Sequence, residues 1–380
     1  MKKVFLLAAG ALAVSCGQQR GKIAYPVTAK VDTVDVYFGT EVADPYRWLE
    51  NDTSEATTEW VKAQNEVTNR YLSQIPFRQK LYDRLKRVAD YERMGTPFKE
   101  HGRYYFFKND GLQNQSVLYV QDALDSEPRV FLDPNQLSTD GTVALTGLSF
   151  STDGRYMAYT ISRSGSDWTE IYVMDTESGR LLDDHIEWAK FTGAAWQKDG
   201  FYYSAYDAPT KGKEFSNVNE NHKVYYHKIG TPQSQDKLVY QNTAYPKRFY
   251  TVSVSRDETM LFLYESGEKR GNALYVKDLK RAGADFMPMA TDMDYQYAPV
   301  EVNKGQIYLF TNYGAPRNRL MVAASGKLSL KDWKELVPEQ ESVLSGAEII
   351  GGRLILTYDK DASQHAYVCG MDGKVEYEIK

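Results

Sequence analysis

The chain of 380 residues is long enough for two domains, or for one large repeat domain with an extension. Its formal net charge is −5 and its charged residues, 26% of the total, are mixed in sign, which excludes the strongly basic surface of a nucleic-acid-binding protein. Aromatic residues reach 13%, with 29 tyrosines, and this bias favours β-strands because aromatic side chains suit half-buried pleated surfaces.

The N-terminal segment is typical of an export signal. Lys2 and Lys3 precede an apolar run, residues 4–14, that is too short for a stable membrane anchor. Two processing routes remain open: cleavage after Ala13, or lipidation of Cys16, because the sequence ALAVSC is similar to a bacterial lipobox. The chain has only two cysteines, and the position of Cys16 favours lipidation. We therefore predict an exported bacterial protein, either periplasmic or anchored to a membrane as a lipoprotein.

Helices are predicted in residues 21–95. In the segment NDTSEATTEWVKAQNEVTNRYLSQIP, Asp52 and Glu55 have the spacing of a capping box at the start of a helix. Apolar residues then recur with a period near 3.6, which predicts one apolar face: Trp60, Val61, Val67, Tyr71 and Leu72. Pro76 ends this helix and opens a second one, whose apolar stripe contains Leu81, Leu85 and Val88.

From residue 96 onwards the pattern changes to short alternating strands separated by turns. A turn followed by a strand occurs six times, about every 50 residues: EHGRYYFF, TDGRYMAYT, KDGFYYSAY, RDETMLFLY, NKGQIYLFT and IGGRLILTY. A second strand follows each time, as in TEIYVMD and NALYVKD, and each unit has room for a first and a fourth strand. Four strands per repeat indicate a β-propeller, whereas a β-sandwich does not predict this recurring order.

No catalytic set is visible in the sequence. A G-x-S-x-G nucleophile elbow is absent, and Ser166 and Ser345 lack the flanking glycines and are interpreted as turn or strand serines. None of the five histidines has a recognisable catalytic context: His101, His185, His222, His227 and His365. The spacings of His, Cys, Asp and Glu predict no metal site, and no motif predicts a cofactor or nucleic-acid binding. The residues alone therefore indicate a binding or lid module.

Several long segments resemble one enzyme family. They are VADPYRWLE, WVKAQN, GLQNQSVLYVQD, FLDPNQLSTDGTVAL, SGSDW and KFTGAAWQKDGFYYSAYD. Together they resemble the prolyl oligopeptidase (prolyl endopeptidase) family of serine peptidases, from about Tyr25 to the end of the chain. The resemblance implies an enzyme that cuts short peptides after proline. In that family a seven-bladed propeller lies over an α/β-hydrolase domain that holds a Ser-Asp-His triad.

The resemblance also implies a domain organisation. Residues 1–20 are the signal and tether, residues 21–95 resemble the N-terminal helical piece of the hydrolase domain, and residues 96–380 form a propeller that is incomplete at its C-terminus. The triad belongs to the part of the family's sequence that is absent here, so no catalytic residue is assigned. The expected partners are the missing C-terminal hydrolase domain and short proline-containing peptides, with a membrane contact only through a lipid anchor. The alternative is a stand-alone exported propeller that binds or interacts with other molecules.

Four further residues acquire expected roles from the resemblance. Phe191 matches a family aromatic residue that lines the substrate cavity, with a core strand aromatic as the alternative. Asp167 matches a propeller aspartate that helps to position the substrate, with a turn-stabilising side chain as the alternative. Arg47 and Trp48 are expected to be structural residues that dock the N-terminal segment.

Overall fold

The structure is a computed structural model that describes residues 23–52, 54–214, 217–324 and 326–380. Cys16 and the predicted export signal lie outside the described residues. The chain divides into two compact units, the first within Met1–Arg87 and Lys211–Ser216, and the second within Val88–Thr210 and Asn217–Lys380. Among the described residues, no helix combines the length and the apolar character needed to cross a membrane.

The first unit contains a β-hairpin, a short 3-10 helix and helical segments. Its elements are β1 (Val34–Tyr37), β2 (Thr40–Ala43), the 3-10 helix Arg47–Glu50, α1 (Glu55–Ser73) and most of α2 (Arg78–Ala89). The prediction that Asp52 caps α1 is wrong, because the helix begins at Glu55 and its N-cap is Ser54. The Ser54 hydroxyl accepts a hydrogen bond from the backbone N–H of Thr57 at 3.2 Å, which satisfies one otherwise unpaired donor of the first turn.

The apolar stripe of α2 lies on the surface. Leu81 and Leu85, one turn apart as predicted, keep 52% and 59% of their surface exposed, and Phe77 and Tyr82 beside them are exposed to a similar extent. None of the residues of α2 is buried. An amphipathic helix normally buries such a stripe against another element, so α2 carries an apolar face that none of the described residues covers.

The second unit is built from short strands. In chain order they are β3 (Arg93–Met94), β4 (Phe98–Glu100), β5 (Arg103–Asn109), β6 (Val117–Gln121), β7 (Arg129–Leu132), β8 (Val143–Phe150), β9 (Tyr156–Arg163), β10 (Thr169–Asp175), β11 (Leu181–Ala189), β12 (Ala195–Gln197), β13 (Gly200–Ala205), β14 (Lys223–Lys228), β15 (Lys237–Gln241), β16 (Phe249–Val254), β17 (Met260–Ser266), β18 (Ala273–Asp278), β19 (Met287–Ala290), β20 (Tyr297–Asn303), β21 (Gln306–Thr311), β22 (Arg319–Ala324), β23 (Lys334–Val337), β24 (Val343–Ile350), β25 (Arg353–Lys360), β26 (Ser363–Cys369) and β27 (Val375–Ile379). Short 3-10 helices occur between strands at Pro134–Gln136, Gln233–Gln235 and Leu330–Asp332.

Within the described residues these strands form six successive antiparallel groups of four, which we number sheets 1 to 6: β4–β7, β8–β11, β12–β15, β16–β19, β20–β23 and β24–β27. β3 adds to sheet 1 by pairing with β5. Sheets 2 and 3 are joined into one larger sheet, because Ala189 of β11 pairs with Ala205 of β13. The prediction of a mainly β fold made of six four-stranded propeller blades is confirmed.

Apolar cores lie between successive sheets. Sheets 1 and 2 share a cluster around Leu118 and Met157, and sheets 2 and 3 share one around Ile171 and Phe201. The remaining neighbours follow the same pattern in the clusters that contain Tyr202 and Leu263, Leu274 and Ile307, and Leu320 and Leu356. Burying one such side chain contributes roughly 1.5–3 kcal/mol. Sheets 2 to 5 are thus packed on both faces and sheets 1 and 6 on one, and the connecting loops lie outside these cores.

Candidate functional site

The loop between β9 and β10 places Asp167 at its tip. The chain reverses through Ser164 and Gly165, which adopt positive φ values of 52° and 74°. The Ser166 N–H donates to the carbonyl of Arg163 at 3.0 Å, and the Ser166 hydroxyl accepts from the N–H of Trp168 at 3.0 Å. Ser166 therefore stabilises the turn, as the sequence predicted for it, and the side chain of Asp167 remains 76% exposed.

Phe191 lies in the connection between β11 and β12. Its φ is 53°, and that of Trp188 three residues earlier is 59°, so two large side chains occupy the left-handed region at a cost on the order of 1–2 kcal/mol each. Phe191 is outside the strands and 49% exposed, with its ring centroid 5.4 Å from that of Phe249. It is therefore not a core strand aromatic. A strained, exposed aromatic residue is a reason to look for a functional role.

Asp167 and Phe191 line the same cavity, which has a volume of about 530 Å³. Sheet 2, its β9–β10 loop and the connection from sheet 2 to sheet 3 supply the walls, whose other polar groups are mostly hydroxyls: Thr146, Ser149, Thr160, Ser162, Ser166, Thr169 and Thr192. Several of these hydroxyls are already engaged, such as those of Thr146 and Thr160, which lie 2.8 Å apart. Asp167 is the one ionisable residue among the described lining residues, so the cavity can bind a ligand but contains no nucleophile–base pair.

Lys190 lies behind this wall, and the sequence analysis missed it. Its side chain is only 9% exposed and its Nζ atom is 3.8 Å from Oδ2 of Asp167. The same Nζ atom lies 4.8 Å from the ring centroid of Trp168 and 5.5 Å from that of Phe191, within the range of cation–π attraction. No sequence motif points to this lysine, because Asp167 and Trp168 come from the β9–β10 loop, whereas Lys190 and Phe191 belong to the connection between β11 and β12.

Two buried histidines, His222 and His227, have opposite pKa shifts, and His222 contacts the candidate site. Nδ1 of His222 accepts a hydrogen bond from the N–H of Tyr250 at 2.9 Å, so its Nε2–H donates to the carbonyl of Lys190 at 3.1 Å. Burial lowers the pKa of His222 to about 4. His222 is therefore neutral near pH 7 and fixes the backbone beneath the candidate site.

His227 is held as a cation by two carboxylates. Its Nδ1 donates to Oδ1 of Asp236 at 2.7 Å and its Nε2 donates to Oδ1 of Asp184 at 2.9 Å. All three side chains are almost fully buried. Burial alone would lower the pKa of His227, but the hydrogen bonds to Asp236 and Asp184 outweigh it and raise the pKa. This group links β11 of sheet 2 to β14 of sheet 3.

A serine, a histidine and an acid meet on sheet 6. Oγ of Ser363 is 3.3 Å from Nε2 of His365, and Nδ1 of His365 is 2.8 Å from Oε1 of Glu378. The Ser363 hydroxyl, however, donates its proton to the carbonyl of Lys360 at 3.0 Å. His365 therefore cannot act as the base that removes this proton, and the group resembles a triad only in composition.

The other predicted site residues have the following positions. Arg47 lies in the first unit and binds the carboxylates of Asp35 and Asp44, and these hydrogen bonds raise the pKa of its guanidinium. The indole N–H of Trp48 donates to the carbonyl of Ala29 at 2.9 Å. Both residues order the segment around them, and their role in docking stays a prediction. Among the described residues, no three His, Cys, Asp or Glu side chains converge in a way that could hold a metal ion.

The six four-stranded sheets and the cavity at the joint of sheets 2 and 3 define a β-propeller with a ligand-sized cavity. Residues 26–379 match the model of one protein family, described as the prolyl oligopeptidase N-terminal beta-propeller domain. The chain belongs to the prolyl oligopeptidase family and represents its N-terminal propeller portion, which confirms the resemblance seen in the sequence.

Relatives support the same assignment. The prolyl endopeptidase of Elizabethkingia meningoseptica is 40% identical over 375 residues, which cover 98% of this chain and 53% of that protein. Prolyl oligopeptidase A of Amanita bisporigera is 32% identical over 389 residues, covering 92% of this chain and 51% of that protein. The chain thus spans about half the length of the curated relatives it matches.

Solved structures give the same result. Prolyl oligopeptidase B from Galerina marginata, bound to a 25mer macrocyclization substrate, has a TM-score of 0.80 and 28% identity, covering 94% of this chain and 54% of that one. A second match comes from a study of two prolyl endopeptidases and of inter-domain dynamics in their catalysis and specificity. It has a TM-score of 0.68 and 32% identity, covering 94% of this chain and 52% of that one.

Proposed function

We propose that this chain is the propeller-bearing part of an exported serine endopeptidase that cleaves short peptides after proline. The exposed apolar stripe of α2 carries the proposal. Leu81 and Leu85 need a cover that the described residues do not provide, and the relatives are about twice as long as this chain. We expect the stripe to pack against a C-terminal hydrolase domain, which supplies the catalytic Ser, Asp and His residues.

In this arrangement the chain contributes to binding and not to bond cleavage. The hydrolase domain carries out acyl transfer through a serine acyl-enzyme. The cavity lies between two segments: the β9–β10 loop, which carries Asp167, and the connection from sheet 2 to sheet 3, which carries Phe191. An apolar residue of the peptide would contact the half-exposed ring of Phe191, and the Asp167 carboxylate would accept hydrogen bonds from peptide N–H groups.

The test is peptidase activity of the isolated 380-residue chain. We expect no turnover of a proline-containing fluorogenic peptide, because the described residues hold no activated nucleophile. Turnover that persists through purification to homogeneity and is blocked by a serine-directed phosphonate would contradict the proposal. The Ser363→Ala variant is the matched control, since loss of such turnover in this variant would assign it to the Ser363–His365–Glu378 group.

A second candidate is a stand-alone exported propeller that binds peptides without cleaving them. The observation in its favour is that the cavity of Asp167 and Phe191 is formed entirely by the second unit. The two candidates differ in what covers α2. A hydrolase domain that co-purifies with the chain from its native source supports the enzyme, whereas a monomer that stays soluble without such a partner supports the binding module.

Export is part of the proposal and rests on the sequence of the first 20 residues. Lipidation of Cys16 predicts that the wild-type protein fractionates with membranes and incorporates labelled palmitate. The Cys16→Ser variant should lose both properties. Recovery of wild-type protein in the soluble periplasmic fraction, without label, would instead indicate ordinary signal cleavage.

A further inference from the structure

We propose that Lys190 is a positioning residue of the peptide-binding cavity: its buried ammonium holds the Asp167 carboxylate and the Phe191 ring on one wall. This inference rests on the proposed function of the cavity. Lys190 does not line the cavity itself. It acts through the two residues that do.

The ammonium group of Lys190 is buried, so protein groups have to replace the water that would otherwise solvate it. An almost fully buried ammonium is destabilising unless neighbouring groups compensate the lost water. Lys190 has three compensating neighbours: the ring of Trp168, the ring of Phe191 and, at 3.8 Å, the carboxylate of Asp167. No hydrogen-bond acceptor for its Nζ atom is found among the described residues. The orientations of Phe191 and Asp167 are therefore coupled to the charge of Lys190.

Phe191 needs such a restraint. Its positive φ directs the side chain out of the strand path, and about half of the ring is exposed. An exposed ring on a strained backbone would otherwise turn towards whatever apolar surface is nearest, and Phe249 is already within contact. Attraction to the ammonium on one side keeps the ring at the cavity wall, where a peptide side chain can reach it.

The backbone of Lys190 is fixed independently of its side chain. Its N–H donates to the carbonyl of Ser204 at 3.3 Å, and its carbonyl accepts from His222, which in turn accepts from the N–H of Tyr250. These bonds tie the residue to β13 and β16. A change of the side chain alone should therefore leave the fold intact, and the positioning role can be separated from a structural one.

The experiment compares full-length variants of the chain in binding a blocked peptide, acetyl-4-fluorophenylalanyl-Gly-Pro-Ala-amide, with dissociation constants read from its ¹⁹F resonance. Lys190→Met keeps the length of the side chain and removes the charge, and Lys190→Arg keeps the charge. We expect roughly 5- to 20-fold weaker binding for Lys190→Met and a value within about 3-fold of wild type for Lys190→Arg. Thermal unfolding midpoints of both variants should stay close to that of wild type.

A mutant cycle tests whether Lys190 acts through Phe191 and Asp167. In a background that carries both Phe191→Ala and Asp167→Asn, Lys190→Met should weaken binding by no more than about 2-fold, because both groups that it holds are gone. If Lys190→Met weakens binding by the same factor in this background as in the wild-type chain, Lys190 acts independently of the residues that it contacts, and its positioning role is overturned. Wild-type affinity in Lys190→Met would also overturn it while leaving the proposed function standing. If the wild-type chain fails to bind the peptide at millimolar concentration, the peptide-binding cavity and the role of Lys190 are both wrong.

Discussion

Replacement of His227 by glutamine should destabilise the joint between sheets 2 and 3 more than any other histidine substitution in the chain. The variant removes the cation that lies between Asp184 and Asp236, whose side chains are 3% and 2% exposed. Two buried carboxylates then face each other without a counter-charge. Removing one partner of a buried ion pair typically costs about 3–5 kcal/mol, and we expect a loss of this size in the free energy of unfolding.

Urea unfolding followed by tryptophan fluorescence measures this loss. His185→Gln is the matched control, because Nε2 of His185 also contacts a carboxylate, that of Glu170 at 2.9 Å, but its side chain is 35% exposed. An ion pair at such a site contributes at most about 1 kcal/mol. If both variants lose the same small amount of unfolding free energy, the argument that burial makes the His227 group important for stability is refuted.

The pH dependence gives an independent check of the same reasoning. The pKa of folded His227 lies above its unfolded value of about 6.5. Its stabilising contribution is therefore complete below pH 6.5 and is lost as the pH rises through the folded pKa. The difference in unfolding free energy between wild type and His227→Gln should shrink from pH 6 towards alkaline pH. A difference that grows with pH would show that the histidine is buried in its neutral form.

Three further predictions concern single residues. The pKa shift of His222 is opposite in direction to that of His227, because burial lowers the folded pKa of His222 to about 4. Lowering the pH from 6.5 towards 4 should therefore destabilise wild type by up to about 3 kcal/mol more than His222→Gln, as measured by urea unfolding at each pH. Ser54→Ala should cost about 1 kcal/mol of stability through loss of the α1 cap, while Ser73→Ala, at the other end of the helix, should be nearly neutral, as compared by circular dichroism melting. Gly271→Ala should cost more than about 2 kcal/mol in the same melts, because its Cβ would meet the backbone carbonyl of Tyr295 at 1.9 Å, whereas Gly193→Ala meets nothing within 4 Å and should fold normally.

The fold was predictable because its signals are local. Each blade repeats the same turn and the same alternation of apolar residues, and these patterns determine strands without knowledge of distant contacts. The two-residue turn at Asp361 and Ala362, with φ values of 51° and 59°, joins β25 to β26 in a hairpin of the kind that recurs between neighbouring strands. The start of α1 was misassigned because Asp52 and Glu55 have capping-box spacing, although the residue directly before the first helical turn is Ser54.

The candidate site was only partly predictable, because it depends on residues that meet in space. Family resemblance pointed to Asp167 and Phe191, and the structure places both on one cavity. Lys190 stands next to Phe191 in the sequence, yet its burial and its contact with Trp168 follow from the packing of two loops. The His227 group likewise joins residues from three separate segments. No periodicity in the sequence records such a convergence.

The pairing of Ala189 with Ala205 gives the propeller one joint of a different mechanical kind. Elsewhere in the described part of the second unit, successive sheets share no strand pairing and meet mainly through side chains. At the joint between sheets 2 and 3 the backbone ladder itself crosses over, and the buried His227 group reinforces it. Asp167 approaches the cavity from one side of this joint and Phe191 lies on the connection across it. The loops that carry Asp167 and Phe191 are therefore connected by backbone pairing as well as by side chains, and we expect the distance between these two residues to vary less than the spacing of sheets that meet through side chains alone.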